Sequence, residues 1–404
     1  MKYLVIVGDG MADYPLDKLG GKTVLQYADT PSFDLLARAG ELGLVQTIPD
    51  SLPPGSDTAN LSVLGYDPLK YYTGRSPFEA ASLGIELGPD DISFRCNLVT
   101  LSVDEPYAKK MMVDYCASEI STAEADQLLK LIDNKLGSDL IRFFTGFQYR
   151  NLMVWSGAPV DWQLTPPHDI SNKIIGDYLP SGPEGSAVLK MMEKSYQFLA
   201  DHPVNLKRKA HGLNPANSIW IWGNGRKPLL PTFQEKYGLD GTVVSAVDLM
   251  KGIGLLAGLK KAEVKGATGY IDTNLKGKVE AALNAFDSGD DFVFLHVEAP
   301  DECSHRFEME NKIKAIEMID REVVKILKEA LETRGIEFSI LLVTDHATPL
   351  ALGTHTREPV PFAIYRSNEQ ISNAEGSFDE IGAAATGVHF EQGYRLIDHF
   401  LQRV

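Results

Sequence analysis

Three residues near the end of the chain have the chemistry of metal ligands: Asp345, His346 and His355. The short apolar run at residues 340–343, directly before the Asp-His pair, favours a buried parallel strand. Side chains at the carboxyl end of such a strand lie where open α/β sheets bind ligands. Carboxylate and imidazole both bind divalent metal ions. The alternative is an aspartate that caps a helix beside a hydrogen-bonded histidine.

Two further predicted strands end in residues of the same chemistry. The strand predicted at residues 292–297 leads to Asp301 and His305, whose spacing of four places both side chains on one face of a helical turn. The strand predicted at residues 3–7 leads to Asp9 in a glycine-flanked turn. Each aspartate alone could belong to an ordinary turn. Three such strand ends together favour a centre of two divalent metal ions.

Ser56 is a candidate nucleophile. It follows a Pro-Pro-Gly turn and stands at the amino end of a helix predicted at residues 58–64. Backbone N–H groups and the helix dipole favour an anion at that position, and a serine beside a metal centre can be activated for attack. The alternative is that Ser56 only caps the helix.

Four cationic or ionisable residues are candidates for substrate contact: Arg150, His168, Arg226 and Lys251. Arg226 follows a Gly-Asn-Gly turn that could bind an anion. Lys251 lies in a segment whose glycines imitate a dinucleotide-binding motif, which we reject because it falls inside a predicted helix rather than directly after a strand. For each of the four, the alternative is a solvated side chain or an ordinary ion pair.

Composition limits the class of protein. The chain has 404 residues, 39 basic against 55 acidic, and a net charge of −16. This charge argues against nucleic acid or an anionic membrane as the main partner, although it does not exclude a small anionic substrate. The three cysteines imply no disulfide framework. With neither a predicted signal peptide nor a membrane span, we expect a cytoplasmic enzyme; the oligomeric state is not predicted.

The strand-to-aspartate pattern occurs towards both ends of the chain but not in its middle. We therefore predict an α/β domain from residues 1–96 and 237–404, with a mostly parallel sheet flanked by helices. A smaller α+β domain is predicted to be inserted at residues 97–236, with the active site in the cleft between the two. Apolar residues recurring at three and four over residues 312–331 predict an amphipathic helix that packs on the core.

Motifs along nearly the whole chain resemble the alkaline phosphatase superfamily. Within it they are most similar to the archaeal-type cofactor-independent phosphoglycerate mutases and their proposed homoserine kinase relatives. The motifs are those at residues 8–13, 54–60, 72–80, 266–270, 296–305 and 344–349. The resemblance implies an alkaline-phosphatase-like sheet, a small phosphorylated substrate and phosphoryl transfer through a phosphoserine.

The resemblance also implies roles for the candidate metal ligands, for Ser56 and for Lys251. It divides the metal ligands into two sets: Asp301, His305 and His355 for one ion, and Asp9, Asp345, His346 and the Ser56 hydroxyl for the other. The ions would be Mn²⁺, with Zn²⁺ or Mg²⁺ as alternatives. Ser56 would be the nucleophile, and Lys251 would contact the phosphate.

One segment departs from the pattern of the mutases. Residues 113–122 contain no arginine where the mutases carry arginines, and instead contain Asp114 and Glu119. Since arginine forks grip carboxylates and phosphates, a homoserine kinase-like transfer stays open as the alternative to 2,3-bisphosphoglycerate-independent phosphoglycerate mutase. A metal-binding protein without catalysis is a weaker alternative, because Ser56 and all six Asp/His ligands occur together.

Overall fold

The computed structural model describes residues 1–159, 161–182, 184–369 and 376–402. Contacts divide the chain into a larger unit, residues 1–72 and 229–404, and a smaller unit, residues 73–228. The boundary predicted between residues 96 and 97 falls inside the strand Asp91–Leu101, which pairs along its length with strands of the smaller unit. The boundary predicted between residues 236 and 237 falls inside the helix Phe233–Tyr237 of the larger unit. Both predicted boundaries therefore cut through an element that lies within one unit. The units divide instead after residues 72 and 228.

The strands are β1 (Lys2–Gly8), β2 (Glu41–Val45), β3 (Asp91–Leu101), β4 (Met112–Asp114), β5 (Ile141–Phe147), β6 (Arg150–Ser156), β7 (Ser218–Arg226), β8 (Gly241–Val244), β9 (Lys260–Ala262), β10 (Phe292–Val297), β11 (Phe338–Val343), β12 (Val360–Arg366) and β13 (His389–Phe390). The α-helices are α1 (Val24–Tyr27), α2 (Pro31–Ala39), α3 (Ser56–Val63), α4 (Pro68–Tyr71), α5 (Ser76–Ser82), α6 (Thr122–Leu136), α7 (Gly185–Leu199), α8 (Pro203–Ala210), α9 (Phe233–Tyr237), α10 (Asp248–Leu256), α11 (Leu275–Asp287), α12 (Ala299–His305), α13 (Met309–Ile319), α14 (Lys325–Thr333), α15 (Glu380–Ala385) and α16 (Leu396–Phe400).

The larger unit is built on a mostly parallel sheet in the order β13-β2-β12-β11-β1-β10-β8-β9. The central strands β11, β1, β10 and β8 are parallel, whereas β12 runs antiparallel to both of its neighbours. Strands β10 and β11 are buried along their whole length, because parallel strands are covered on both faces and read as continuous apolar runs. The predicted α/β class is confirmed.

The smaller unit has the α+β character that was predicted. Its sheet is antiparallel, with β3 between β6 and β7, β5 beside β6, and β4 paired to the end of β3. The core contains apolar side chains of β3 and β7 together with buried residues of α6 and α7, such as Leu128, Met192 and Trp220.

The long helix predicted at residues 312–331 is interrupted. It consists of α13, a π-helical segment Asp320–Val324, and α14. The π segment brings the buried Asp320 carboxylate to the backbone N–H of Phe33, at 2.7 Å. Phe33 lies in the first turn of α2, where N–H groups lack partners within the helix. The side chain of Asp320, in the π-helical segment, therefore caps the amino terminus of α2.

A buried ion pair ties this helix pair to the sheet. Lys312 in α13 and Asp13 in the loop after β1 have fully buried side chains, with 2.8 Å between Nζ and Oδ2. Lys312 Nζ also donates to the carbonyls of Ala12 and Thr348, and the Asp13 carboxylate accepts from the N–H of Leu350. Burial lowers the pKa of Lys312, and the charge of Asp13 opposes that shift. The pair therefore joins the loops that follow β1 and β11 to α13.

Among the described residues, none of the helices is both long enough and apolar enough to cross a membrane. The cytoplasmic location stays a prediction from the sequence.

We expect Lys312→Met to lower the free energy of unfolding by about 3–5 kcal/mol, because it leaves the Asp13 carboxylate buried without its cation. Lys276→Met is the matched control. Lys276 pairs with Glu280 on the surface of α11, and loss of such a pair costs less than about 1 kcal/mol. Urea unfolding of the chelator-treated variants measures both. Equal losses in the two variants would contradict the structural role of the buried pair.

Candidate metal centre

The register of the sheet brings the segments that follow β1, β10 and β11 together at the carboxyl ends of these strands. Gly8 at the end of β1 pairs with Val297 at the end of β10, and Val7 pairs with Val343 at the end of β11. Asp9 follows the first of these strand ends, and its N–H donates to the Val297 carbonyl at 3.0 Å. Isolated bridges join Ala347 to the loop after β1. The residues that follow the three strands are therefore held together.

The first cluster combines Asp301 and His305 of α12 with His355 from the loop after β11. His305 Nε2 lies 3.2 Å from Asp301 Oδ2 and 3.0 Å from His355 Nε2, while His355 Nε2 lies 3.3 Å from Asp301 Oδ1. The spacing of four in α12 places Asp301 and His305 on the same face, as predicted. His305 Nδ1 is 2.9 Å from the Gly353 carbonyl, which orients the opposite ring nitrogen towards the cluster.

The second cluster consists of Asp9, Asp345 and His346, all buried. His346 Nε2 is 3.5 Å from Asp9 Oδ1 and 3.5 Å from Asp345 Oδ2. The same nitrogen lies 3.1 Å from the Oγ of Ser56, the first residue of α3. His346 also groups with Asp301 and His355 within ligand distance, so it stands between the two clusters. The structure thus brings together all seven residues that the sequence selected as metal ligands.

Burying several carboxylates of like charge costs free energy when no cation is bound among them. Burial, followed by the negative charges of Asp345 and Asp301, raises the pKa of Asp9 well above its usual value. Burial likewise raises the pKa of Asp345. Burial also opposes ionisation of Asp301, but the charge of His355 and hydrogen bonds from His305 and His355 outweigh it and lower the pKa of Asp301 well below the usual value. Burial lowers the pKa of His346, so its ring is neutral and able to donate a lone pair.

The donor set fits a divalent metal ion. Carboxylate and imidazole groups converge within 4.8 Å in two groups, Asp301 with His346 and His355, and Asp9 with Asp345 and His346. Such mixed shells accept several divalent metals. Within the part of the chain that the structure describes, the buried Asp9 Oδ1 has no hydrogen-bond partner. A buried carboxylate oxygen left without a donor is costly, and a bound cation would supply the missing interaction.

Two residues beside the clusters were not selected from the sequence. Fully buried His296 in β10 directs Nε2 to Asp9 Oδ2 at 2.9 Å, and burial lowers its pKa to about 3. Asn60 in α3 directs its amide nitrogen to Asp345 Oδ2 at 2.8 Å and to the Ser56 carbonyl at 2.9 Å. A histidine inside an apolar strand, and an asparagine one turn after the candidate nucleophile, are the signals that could have found them.

Lys251 lies in α10, which packs against α3, the helix that begins at Ser56. Its Nζ is 3.2 Å from Oε2 of Glu263, and 13% of its side chain is exposed against 67% for Glu263. Because the partner is largely in solvent, the ion pair is weak and leaves Lys251 able to exchange partners.

Arg150 and His168 of the smaller unit belong to one aromatic cluster. The Arg150 guanidinium lies 4.9 Å from the centroid of the Tyr149 ring, and its Nε donates to the Tyr149 hydroxyl. Tyr115 contacts both the Tyr149 ring and the His168 ring, at centroid distances of 5.8 and 6.1 Å. His168 also packs on Trp222.

Arg226 lies elsewhere on the same sheet. It pairs with Ile92 of β3, whereas Arg150 pairs with Asn97 of β3 from the opposite side. Five residues of strand separate these two positions, which corresponds to about 17 Å at ~3.3 Å per residue. The structure therefore does not bring Arg226 together with Arg150.

The arginine-free segment at residues 113–122 forms a tight turn that Asp114 stabilises. Residues 117–119 all have φ near +50°, a conformation uncommon outside glycine. The Asp114 carboxylate accepts from the N–H groups of Cys116 and Ser118 and from the side chain of Asn214. These donors give the Asp114 carboxylate a structural role within the turn.

Comparisons with known proteins identify relatives of this chain. The model of the 2,3-bisphosphoglycerate-independent phosphoglycerate mutase family matches residues 37–205. A protein of Methanosarcina mazei named 2,3-bisphosphoglycerate-independent phosphoglycerate mutase is 49% identical over 381 residues, which cover 94% of each chain.

Two solved structures resemble the chain over its whole length. A protein of Pyrococcus horikoshii is 30% identical with a TM-score of 0.81, covering 100% of this chain and 98% of its own. The cofactor-independent phosphoglycerate mutase of Thermoplasma acidophilum is 27% identical with a TM-score of 0.64, covering 100% and 99%. The sequence identity and coverage place this chain in the family of 2,3-bisphosphoglycerate-independent phosphoglycerate mutases.

Proposed function

We propose that this chain is a metal-dependent phosphoglycerate mutase that interconverts 3-phosphoglycerate and 2-phosphoglycerate through a phosphoserine at Ser56. The observation that carries the proposal is the position of the Ser56 hydroxyl, 3.1 Å from His346 Nε2 at the buried Asp/His clusters. Membership of the mutase family gives the substrate, because the relative from Methanosarcina mazei carries that activity in its name.

The reaction is two successive transfers of one phosphoryl group. Ser56 Oγ attacks the phosphorus of 3-phosphoglycerate, the bond from phosphorus to the C3 oxygen breaks, and the serine proton ends on that oxygen. The C2 hydroxyl of the retained glycerate then attacks the phosphoserine, the bond from phosphorus to Oγ breaks, and Ser56 regains a proton. Because the enzyme retains the glycerate while it reorients, the glycerate itself is the acceptor of the second transfer and no second substrate is needed.

We propose two divalent ions, Mn²⁺ in the cell, with Zn²⁺ or Mg²⁺ as alternatives. One would be held by Asp301, His305 and His355, and the other by Asp9, Asp345, His346 and the Ser56 hydroxyl. Such ions supply two effects when bound: they lower the pKa of the nucleophile and neutralise charge on the phosphoryl oxygens. Asn60 and His296 orient Asp345 and Asp9 through the contacts described above.

Lys251 is our proposed contact for the phosphoryl group, because its weak pair with exposed Glu263 is easily given up for a dianion. Arg150 and His168 are proposed as one group of substrate contacts, held on a shared aromatic cluster. Arg226 is proposed as a separate substrate contact, because it lies five strand residues away from Arg150 along β3.

The homoserine kinase-like alternative rested on the lack of arginine in residues 113–122, which contain Asp114 and Glu119 instead. Asp114 has a role within its own turn, through hydrogen bonds from the N–H groups of Cys116 and Ser118 and from Asn214. Family membership is therefore the reason to prefer the mutase over this alternative. The third reading, a metal-binding protein without catalysis, leaves the position of Ser56 beside His346 unexplained.

We expect Ser56→Ala to abolish conversion of 3-phosphoglycerate to 2-phosphoglycerate in the presence of Mn²⁺, because the phosphoryl group loses its acceptor. The control is Ser51→Ala, which changes an exposed serine five residues earlier in the same loop and should retain wild-type activity. NMR of the phosphorylated product distinguishes the isomers. A parallel incubation offers homoserine and ATP. Formation of phosphohomoserine without isomerisation would contradict the proposal.

We expect two equivalents of divalent metal per chain in gently purified protein, and loss of metal in Asp345→Ala and His305→Ala, since each removes a ligand from a different set. His211→Ala is the matched control, because His211 is an exposed histidine of the smaller unit. Elemental analysis by mass spectrometry measures the content and identifies the metal. Full metal content in both ligand variants would show that the assignment is wrong.

A further inference from the structure

The hydroxyl of Thr348 touches one member of each proposed ligand set. Thr348 is completely buried. Its Oγ1 lies 2.6 Å from Asp301 Oδ1 and 3.2 Å from His346 Nδ1. Asp301 belongs to the set proposed for one ion and His346 to the set proposed for the other, so a single hydroxyl joins the two.

The geometry determines where the protons lie. A hydroxyl has one hydrogen, and an ionised carboxylate only accepts hydrogen bonds, so Thr348 donates to Asp301. The oxygen's lone pair then faces Nδ1 of His346, which must carry the hydrogen of that ring. The lone pair of the neutral ring is left on Nε2, the atom next to Ser56 Oγ and the Asp9 and Asp345 carboxylates.

Thr348 is itself held from two directions. Its N–H donates to the carbonyl of Ala12 at 3.2 Å. Its carbonyl accepts from Lys312 Nζ at 3.0 Å, and the same ammonium group pairs with Asp13. The hydroxyl is therefore anchored to the loop after β1 and to α13, and a buried side chain with a fixed backbone has little freedom to turn away.

We infer that Thr348 is a positioning residue that fixes the tautomer of His346 and the orientation of Asp301 for metal binding. This inference rests on the proposed metal centre. Residues that hold metal ligands through a hydrogen bond typically change metal affinity by ~10–100-fold when they are lost. Thr348 would do so for two ligands at once.

Thr348→Val and Thr348→Ser separate the hydroxyl from the shape of the side chain. Valine keeps the branched shape but removes the donor to Asp301 and the acceptor for His346. Serine keeps the hydroxyl and removes a methyl group. Mn²⁺ titration of chelator-treated protein, with free Mn²⁺ read by electron paramagnetic resonance, gives the dissociation constants. We expect ~10–100-fold weaker binding for valine and binding close to wild type for serine.

A second measurement reports on the tautomer in the metal-free state, where a general loss of stability would have no specific effect. In protein labelled with ¹⁵N at histidine, the resonance of His346 is assigned by its disappearance in His346→Asn. We expect the form protonated at Nδ1 in wild type and Thr348→Ser, and a shift towards the form protonated at Nε2 in Thr348→Val.

Wild-type affinity together with an unchanged tautomer in Thr348→Val would overturn the inference. Should the valine variant fail to fold, the serine variant decides: an altered tautomer there would overturn the inference, because the hydroxyl is still present. Wild-type protein that binds no Mn²⁺ would count against the metal centre itself, and the tautomer of the metal-free protein would still test the role of Thr348.

Discussion

Repulsion among buried carboxylates is the constraint on which the candidate site depends. Asp9, Asp301 and Asp345 lie at one edge of a parallel sheet with almost no access to solvent. Their negative charges act on one another, and burial raises the pKa of Asp9 and of Asp345. The fold holds these groups together at a cost in stability, and a divalent cation bound among them would remove that cost. Such tension between stability and function is typical of active sites.

Contacts within the larger unit hold the loops that carry these side chains in fixed positions. The strand register fixes where the ligand-bearing loops begin, and the Lys312–Asp13 pair joins the loops after β1 and β11 to α13. These contacts leave the Asp and His side chains few alternative positions, so binding of a metal ion there would need little rearrangement. Ser56, the proposed nucleophile, lies in the first turn of α3, where N–H groups without helical partners favour a developing negative charge.

The sequence was enough to select the Asp and His side chains that the structure brings together, because most of them follow a short apolar strand or obey a helical spacing that can be read locally. Asp301 and His305 are an example, four residues apart on α12. The sequence did not predict the long-range contacts that hold these side chains and the neighbouring loops in position. Lys312 was predicted only as the first residue of an amphipathic helix, because its ion-pair partner Asp13 lies 299 positions earlier in the chain. Neither the contact of Asp114 with Asn214, 100 positions away, nor the π segment in the long helix leaves a local pattern. Such contacts form only when distant parts of the chain fold together.

Anomalous diffraction from crystals grown with Mn²⁺ tests the central claim most directly, namely that the Asp/His clusters are a two-ion centre beside Ser56. The account predicts one anomalous peak bounded by Asp301, His305 and His355, and a second bounded by Asp9, Asp345 and His346 in contact with the Ser56 hydroxyl. Crystals that contain Mn²⁺ with no anomalous peak at these residues, or with peaks only elsewhere, would contradict it.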